Sequence, residues 1–133
     1  MTGDLASFMA QWMPFATTIG VEPVAAAAGE VRMRLGWAPE RCTGGGVLHG
    51  GALMALADSA GAWCAFLNLP EGASTTTIES KTNFLRAART DVMAVSAPLH
   101  VGRTVVVVDT EIRDADDRLV ARVTQTQAVL APR

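Results

Sequence analysis

The chain has 133 residues, the size of one domain with one core, because single domains cluster at about 100 to 150 residues. Half of its residues, 50%, are hydrophobic and 18% are charged, which excludes a disordered polyelectrolyte and allows a sizeable core. A net charge of -2, 5% aromatics and no Tyr argue against a nucleic-acid binder, which needs a basic face and stacking platforms.

Cys42 and Cys64 have neither CxxC spacing nor a paired framework, so no metal site and no disulfide scaffold is indicated and both are expected as free thiols. Met1 to Ala10 carries Asp4 without a basic n-region, and no long apolar run is free of charges and turn signals. The expectation is a soluble cytoplasmic protein, with no nucleic-acid or membrane partner, forming a single domain over residues 1–133.

In chain order, Leu5, Phe8, Met9, Trp12 and Met13 recur at helical spacing and predict a short N-terminal helix that Pro14 ends or redirects. After Gly20 two extended pieces are expected, the second over Val31 to Leu35, with Ala25 to Ala28 as a tolerant connector. A Gly-rich stretch from Cys42 to Gly51 leads into Ala52 to Leu69, whose only charge is Asp58; a helix apolar on nearly every side is a buried one. Beyond the turn at Pro70 to Gly72, strands are predicted over Ser74 to Leu85, Asp91 to Val101, Thr104 to Arg113 and Leu119 to Leu130. Turns at His100 to Arg103 and Asp114 to Arg118 join the last three into an antiparallel meander. The sum is an α+β domain, with a curved antiparallel sheet around a central apolar helix.

Chemistry concentrates at Val47, Leu48, His49, Gly50 and Gly51, followed by Asp58. Gly50 and Gly51 fall where a loop becomes a helix, so their N–H groups are among its unpaired first donors and a ligand can approach closely. A carbonyl gaining negative charge there would be stabilised by those donors and by the helix dipole. Asp58 needs a reason to sit in an uncharged, buried helix, since an unpaired buried carboxylate is costly. An active site supplies one; a structural alternative is a carboxylate held by backbone or by Ser59. Gly51 and Asp58 share roughly one helical face but lie ~10 Å apart along the axis. Two such helices packed antiparallel would set Asp58 of one copy against His49 and Gly50 of another, which predicts a site shared across a homodimer.

The runs "GGVLHGGALMALADSAG", "TTTIESKTNFLRAA" and "HVGRTVVVVDTEI" resemble the hotdog-fold acyl-CoA thioesterases of the phenylacetic-acid-degradation (PaaI-like) type, over roughly Val31 to Leu130. The resemblance implies a hotdog fold and hydrolysis of a small aryl- or acyl-CoA to free acid and coenzyme A. It implies Asp58 as nucleophile or general base, the Gly50 N–H as oxyanion donor, His49 near the thioester, and a positioning hydroxyl on the following strand, which spacing puts at Thr76. Family members often have Asn or Gln six residues before the His, where Thr43 stands here. A hydroxyl replaces one of the two hydrogen bonds, so either Thr43 has a reduced role or the loop differs. Arg86, Arg89 and Arg103, with Asn83 and Gly51, are the expected coenzyme and substrate contacts, since the planar Arg fork suits phosphate. No cofactor or metal is expected, coenzyme A being part of the substrate. Pairing of dimers into a homotetramer is open.

Cys42 near His49 lacks a base held by a third group and is not expected to be a nucleophile. Glu79 and Lys81 are expected as an exposed ion pair, and the Met9 and Trp12 stripe as packing that could also cover an acyl pocket. Two other functions stand beside the hydrolase. One is a hotdog hydratase or dehydratase, against which counts the lack of a D-x-N-P-x-H-like stretch. The other is a non-catalytic acyl-CoA sensor, against which counts the short stretch before Val31, where regulators of this fold carry a DNA-binding region.

Overall fold

The computed structural model describes residues 2–133. Two helices, α1 (Thr2–Trp12) and α2 (Pro14–Thr18), precede strands β1 (Val21–Ala27) and β2 (Glu30–Leu35). A short hairpin of β3 (Cys42–Thr43) and β4 (Val47–Leu48) leads into the long helix α3 (Gly50–Phe66), which is followed by β5 (Ser74–Phe84), β6 (Val92–Val101), β7 (Val105–Asp114) and β8 (Leu119–Leu130). The main sheet has six strands in the order β1-β2-β6-β7-β8-β5, with every neighbouring pair antiparallel.

Helix α3 touches all six strands, so the sheet wraps around it. Its buried side is Leu53, Leu56, Ala57, Ala60, Gly61, Trp63, Cys64 and Ala65. The facing side of the sheet follows the period of two expected of strands: Val31, Met33 and Leu35 on β2, Val106, Val108 and Ile112 on β7, and Val123 on β8 are all buried. The near-uniform apolarity of α3 thus has the predicted cause. At the front of the chain, Phe8 of α1 stacks on Trp63 with ring centroids 4.9 Å apart, laying α1 across the far end of α3. Pro14 both ends α1 and opens α2, the position where its missing N–H costs nothing. None of the described helices is long and apolar enough to cross a membrane.

Several boundaries differ from expectation, among them the end of α3, at Phe66 and not Leu69. Ala25, Ala26 and Ala27 are not a connector but the end of β1, paired with Arg32, Val31 and Glu30; pairing with β2 outweighs alanine's weak strand preference. His100 is not in a turn but in β6 opposite Val107, so the β6–β7 hairpin closes beyond it. The meander β6-β7-β8 forms as predicted, and β5 lies outside it as the free edge next to β8.

Candidate active site

The start of α3 is pinned by main-chain bonds on both sides: Leu48 N–H donates to the Ala88 carbonyl at 2.8 Å and His49 N–H to the Arg41 carbonyl at 2.9 Å. The β3–β4 hairpin that delivers it turns through Gly45 and Gly46, whose φ values of 82° and 73° disfavour a side chain. His49 is the N-cap, and its Nδ1 accepts the Gly51 N–H at 2.8 Å. A Cβ on residue 51 would sit 2.9 Å from that nitrogen, so Gly51 is what lets the ring fold back onto the helix. This corrects the expectation of two free glycine donors. The Gly51 N–H is spent on the cap, whereas the Gly50 N–H has no acceptor among the described residues and remains open, at the positive end of the α3 dipole.

Gly50 lies under the Phe84 ring, 3.3 Å from where its Cβ would be. A cleft of about 430 Å³ brings Thr43, Gly50 and Arg86 together with Leu53 and Phe84, so three residues singled out from sequence meet there. On the other side of the helix start, His49 and Gly51 line a second cleft of about 450 Å³ with Arg41, Cys42 and Ala55.

Asp58 differs from expectation in its surroundings. It is exposed, because it projects from the one side of α3 that the sheet leaves uncovered, beside the edge strand β5. Its partner is not Ser59, whose hydroxyl donates back to the Ala55 carbonyl at 2.7 Å. Oδ1 of Asp58 instead accepts from Thr77 Oγ1 at 3.0 Å and from Gln125 Nε2 at 2.9 Å. Thr77 in turn accepts from Gln127 Nε2 at 2.7 Å, and Thr75 Oγ1 donates to Gln127 Oε1 at 3.1 Å. Among the described residues nothing bonds Oδ2, which is left pointing free of the network.

The strand hydroxyl beside the carboxylate is therefore Thr77, not Thr76. Alternation along β5 turns Thr75 and Thr77 toward α3 and Thr76 to the opposite face. Gln125 and Gln127 had not been singled out at all. Both are fully buried on the inner face of β8, and the signal was present in "VTQTQ", where two Gln continue the register of buried Val123. Gln125 Oε1 has no hydrogen-bond partner among the described residues, an omission that costs about 1–3 kcal/mol. That oxygen lies against Gly61, where a Cβ would approach it to 1.9 Å.

One helical turn beyond Asp58, Ala62 begins an apolar pocket of about 270 Å³ completed by Phe8, Trp12, Trp63, Phe66 and Thr75. The expected coenzyme residues are divided. Arg86 and Arg89 precede β6, while Arg103 follows it; the strand's 10 residues put Arg103 ~30 Å away at the opposite end of the sheet. Arg89 Nη1 donates to the Gly45 carbonyl at 2.8 Å, bracing the glycine hairpin. Asn83 Oδ1 accepts from Lys81 Nζ at 3.0 Å, and Glu79 accepts from Thr126 at 2.8 Å, so the expected Glu79–Lys81 pair is replaced by two separate contacts. Cys42 Sγ donates to the Ala38 carbonyl at 3.3 Å, and burial pushes the Cys64 thiol up to about 11.

Residues 45–121, which run from the glycines of the hairpin turn through β4, α3 and β5 to β7 to the start of β8, match the family model of the Thioesterase superfamily. This chain belongs to the thioesterase superfamily. A provisionally named esterase of Haemophilus influenzae is 37% identical over 75 residues, 56% of this chain and 54% of that protein. The chain spans about half the length of the curated relatives it matches. Among solved structures, a Haemophilus influenzae thioesterase superposes with a TM-score of 0.90 at 25% identity, over 98% of this chain and 90% of the other. A provisionally named esterase of Mycobacterium tuberculosis gives a TM-score of 0.87 at 30% identity, over 91% and 99%. The sheet wrapped on α3 is thus the hotdog arrangement of these thioesterases.

Proposed function

We propose that this protein hydrolyses the thioester of a small aryl- or acyl-CoA, as a PaaI-like thioesterase, in a site shared between two copies of the chain. The observation that carries the reading is the state of Asp58. It is the sole charge of an apolar helix, one carboxylate oxygen is held by two donors, and the other is free. In the proposed reaction the Gly50 N–H binds the thioester oxygen as negative charge develops there. Oδ2 of Asp58 from the second copy attacks the carbonyl carbon or takes a proton from the water that does. The C–S bond then breaks, the thiol leaves with a proton, and water supplies the oxygen of the free acid.

Two copies are invoked because the eight residues from Gly50 to Asp58 span ~12 Å of helix, too far for one carbonyl to meet both. The edge of β5 supports self-association: it is an outer strand, and Ile78 and Phe84 on it are 58% and 54% exposed. The apolar pocket beyond Asp58 suits the acyl group, and Thr43 and Arg86 in the Gly50 cleft suit the thioester arm and coenzyme phosphates. Arg103, at the far end of the sheet, could reach the same coenzyme only from another copy.

The test is thiol release from a panel of acetyl-, hexanoyl- and benzoyl-CoA. Asp58→Asn is expected to lower it by at least 10²-fold while circular dichroism and self-association are kept. Near wild-type turnover in this variant sinks the reading. Coenzyme binding without thiol release by the wild type would favour a sensor instead.

A further inference from the structure

We propose that Gln125 is a positioning residue for Asp58, holding Oδ1 so that Oδ2 is the reacting oxygen; the inference rests on Asp58 being the reacting carboxylate. Gln125 is fully buried on β8 and its Nε2 reaches Asp58, so it acts through Asp58 and not on the thioester. A carboxylate only accepts hydrogen bonds, which fixes the orientation of the amide: Nε2 faces Asp58 Oδ1 at 2.9 Å and Oε1 is turned away. That orientation leaves Oε1 without a partner among the described residues. A glutamine present only to fill space would be replaced at no loss by Leu or Met. The Gln125 amide gives up one of its own bonds to supply one to Asp58.

Two further features belong to the same device. Gly61, one turn along α3 from Asp58, has no Cβ where one would lie 1.9 Å from Gln125 Oε1, so the helix is hollowed at the point where the amide must pass. Gln127 does for Thr77 what Gln125 does for Asp58: its Nε2 donates to Thr77 Oγ1 at 2.7 Å, which commits the Thr77 proton to Asp58. The buried pair on β8 therefore sets both donors to the same oxygen, and the carboxylate is presented in one rotation. Among the described residues, the neighbouring charges are engaged elsewhere. Helix α3 has no second charged residue, Glu79 and Lys81 of β5 are engaged with Thr126 and Asn83, and Arg122 of β8 pairs with Asp109.

The experiment measures kcat and KM separately for the 133-residue chain on the fastest thioester of the acetyl-, hexanoyl- and benzoyl-CoA panel. Gln125→Leu is expected to lower kcat about 10- to 100-fold with KM within about twofold, since the lost interaction is not with substrate. Gly61→Ala should lower kcat in the same way, again with KM within about twofold, by displacing the amide without removing it, and it carries the test alone if Gln125→Leu does not fold. Ser96→Ala, which breaks a buried hydroxyl pair elsewhere under the sheet, should leave kcat within about twofold. A wild-type kcat in Gln125→Leu or in Gly61→Ala overturns the proposal, as does a loss carried by KM instead of kcat, or an equal fall in Ser96→Ala. Full activity in Asp58→Asn would instead overturn the underlying reading.

Discussion

Thr76 and Thr77 are chemically identical neighbours, and only the second touches Asp58, at 3.0 Å. Hydrogen bonds to charged groups contribute about 1.5–3 kcal/mol, so Thr77→Val should reduce thioester turnover about 10-fold or more while Thr77→Ser retains most of it. Thr76→Val should stay within about twofold, because period-two alternation faces it away from α3. Steady-state kinetics on the three variants checks this. A second contrast lies in the cysteines. The buried Cys64 thiol, pushed up to about 11, should not react with a disulfide reagent at pH 8 until the protein is unfolded, since the thiolate is the reactive form. Timed labelling read by mass spectrometry, with and without urea, follows it.

At the scale of elements, the β7–β8 turn is organised by Asp114. Its Oδ1 accepts the N–H groups of Asp116 and Arg118 at 3.0 Å each, and the Arg118 guanidinium meets Oδ2 at 3.0 Å. The Arg118 backbone N–H, then that of Asp116 and the guanidinium, hold the carboxyl below its ordinary range. A depressed folded-state value means that this stabilisation is complete above about pH 4, the unfolded value, and is lost as pH falls through the folded one. Thermal unfolding between pH 7 and pH 2 should therefore be less acid-sensitive in Asp114→Asn than in the wild type. The same turn was legible from "DADDR", and so were the core of α3 and the meander, because local residue type and period decide them. Which β8 side chains face α3 was harder to read. Alternation puts Gln125 and Gln127 on the face of Val123, but their polar character argues for solvent, and only the place of β8 between β7 and β5 shows that this face is covered. Asp58 was read as buried for a related reason: an apolar helix says that a sheet covers it, not where the sheet stops.

At the scale of the whole molecule, the proposed shared site can be tested by mixing two inactive variants. Asp58→Asn lacks the carboxylate. Gly50→Pro lacks the open N–H but keeps the helix, because Pro is favoured at the first helical position and His49 before it is already extended, with φ -62° and ψ 137°. In a mixed dimer one site receives Asp58 from one chain and Gly50 from the other, and the second site receives neither. Co-refolding equal amounts should restore about a quarter of wild-type activity, half of the dimers each having half of their sites. A mixture as inactive as its components would place the whole site within one chain.

The irregularity of β5 at Ile78, where pairing with β8 shifts between Thr77 and Glu79, governs what can add to this outer strand. A straight outer strand of this length would be a template on which other extended chains could add indefinitely. The bulge bends it and divides the exposed ladder into two short runs, with Glu79 and Lys81 immediately after the break. The bend should disfavour the growth of fibres on this edge, while in the proposed dimer a second folded copy, bent in the same place, can still match its contour.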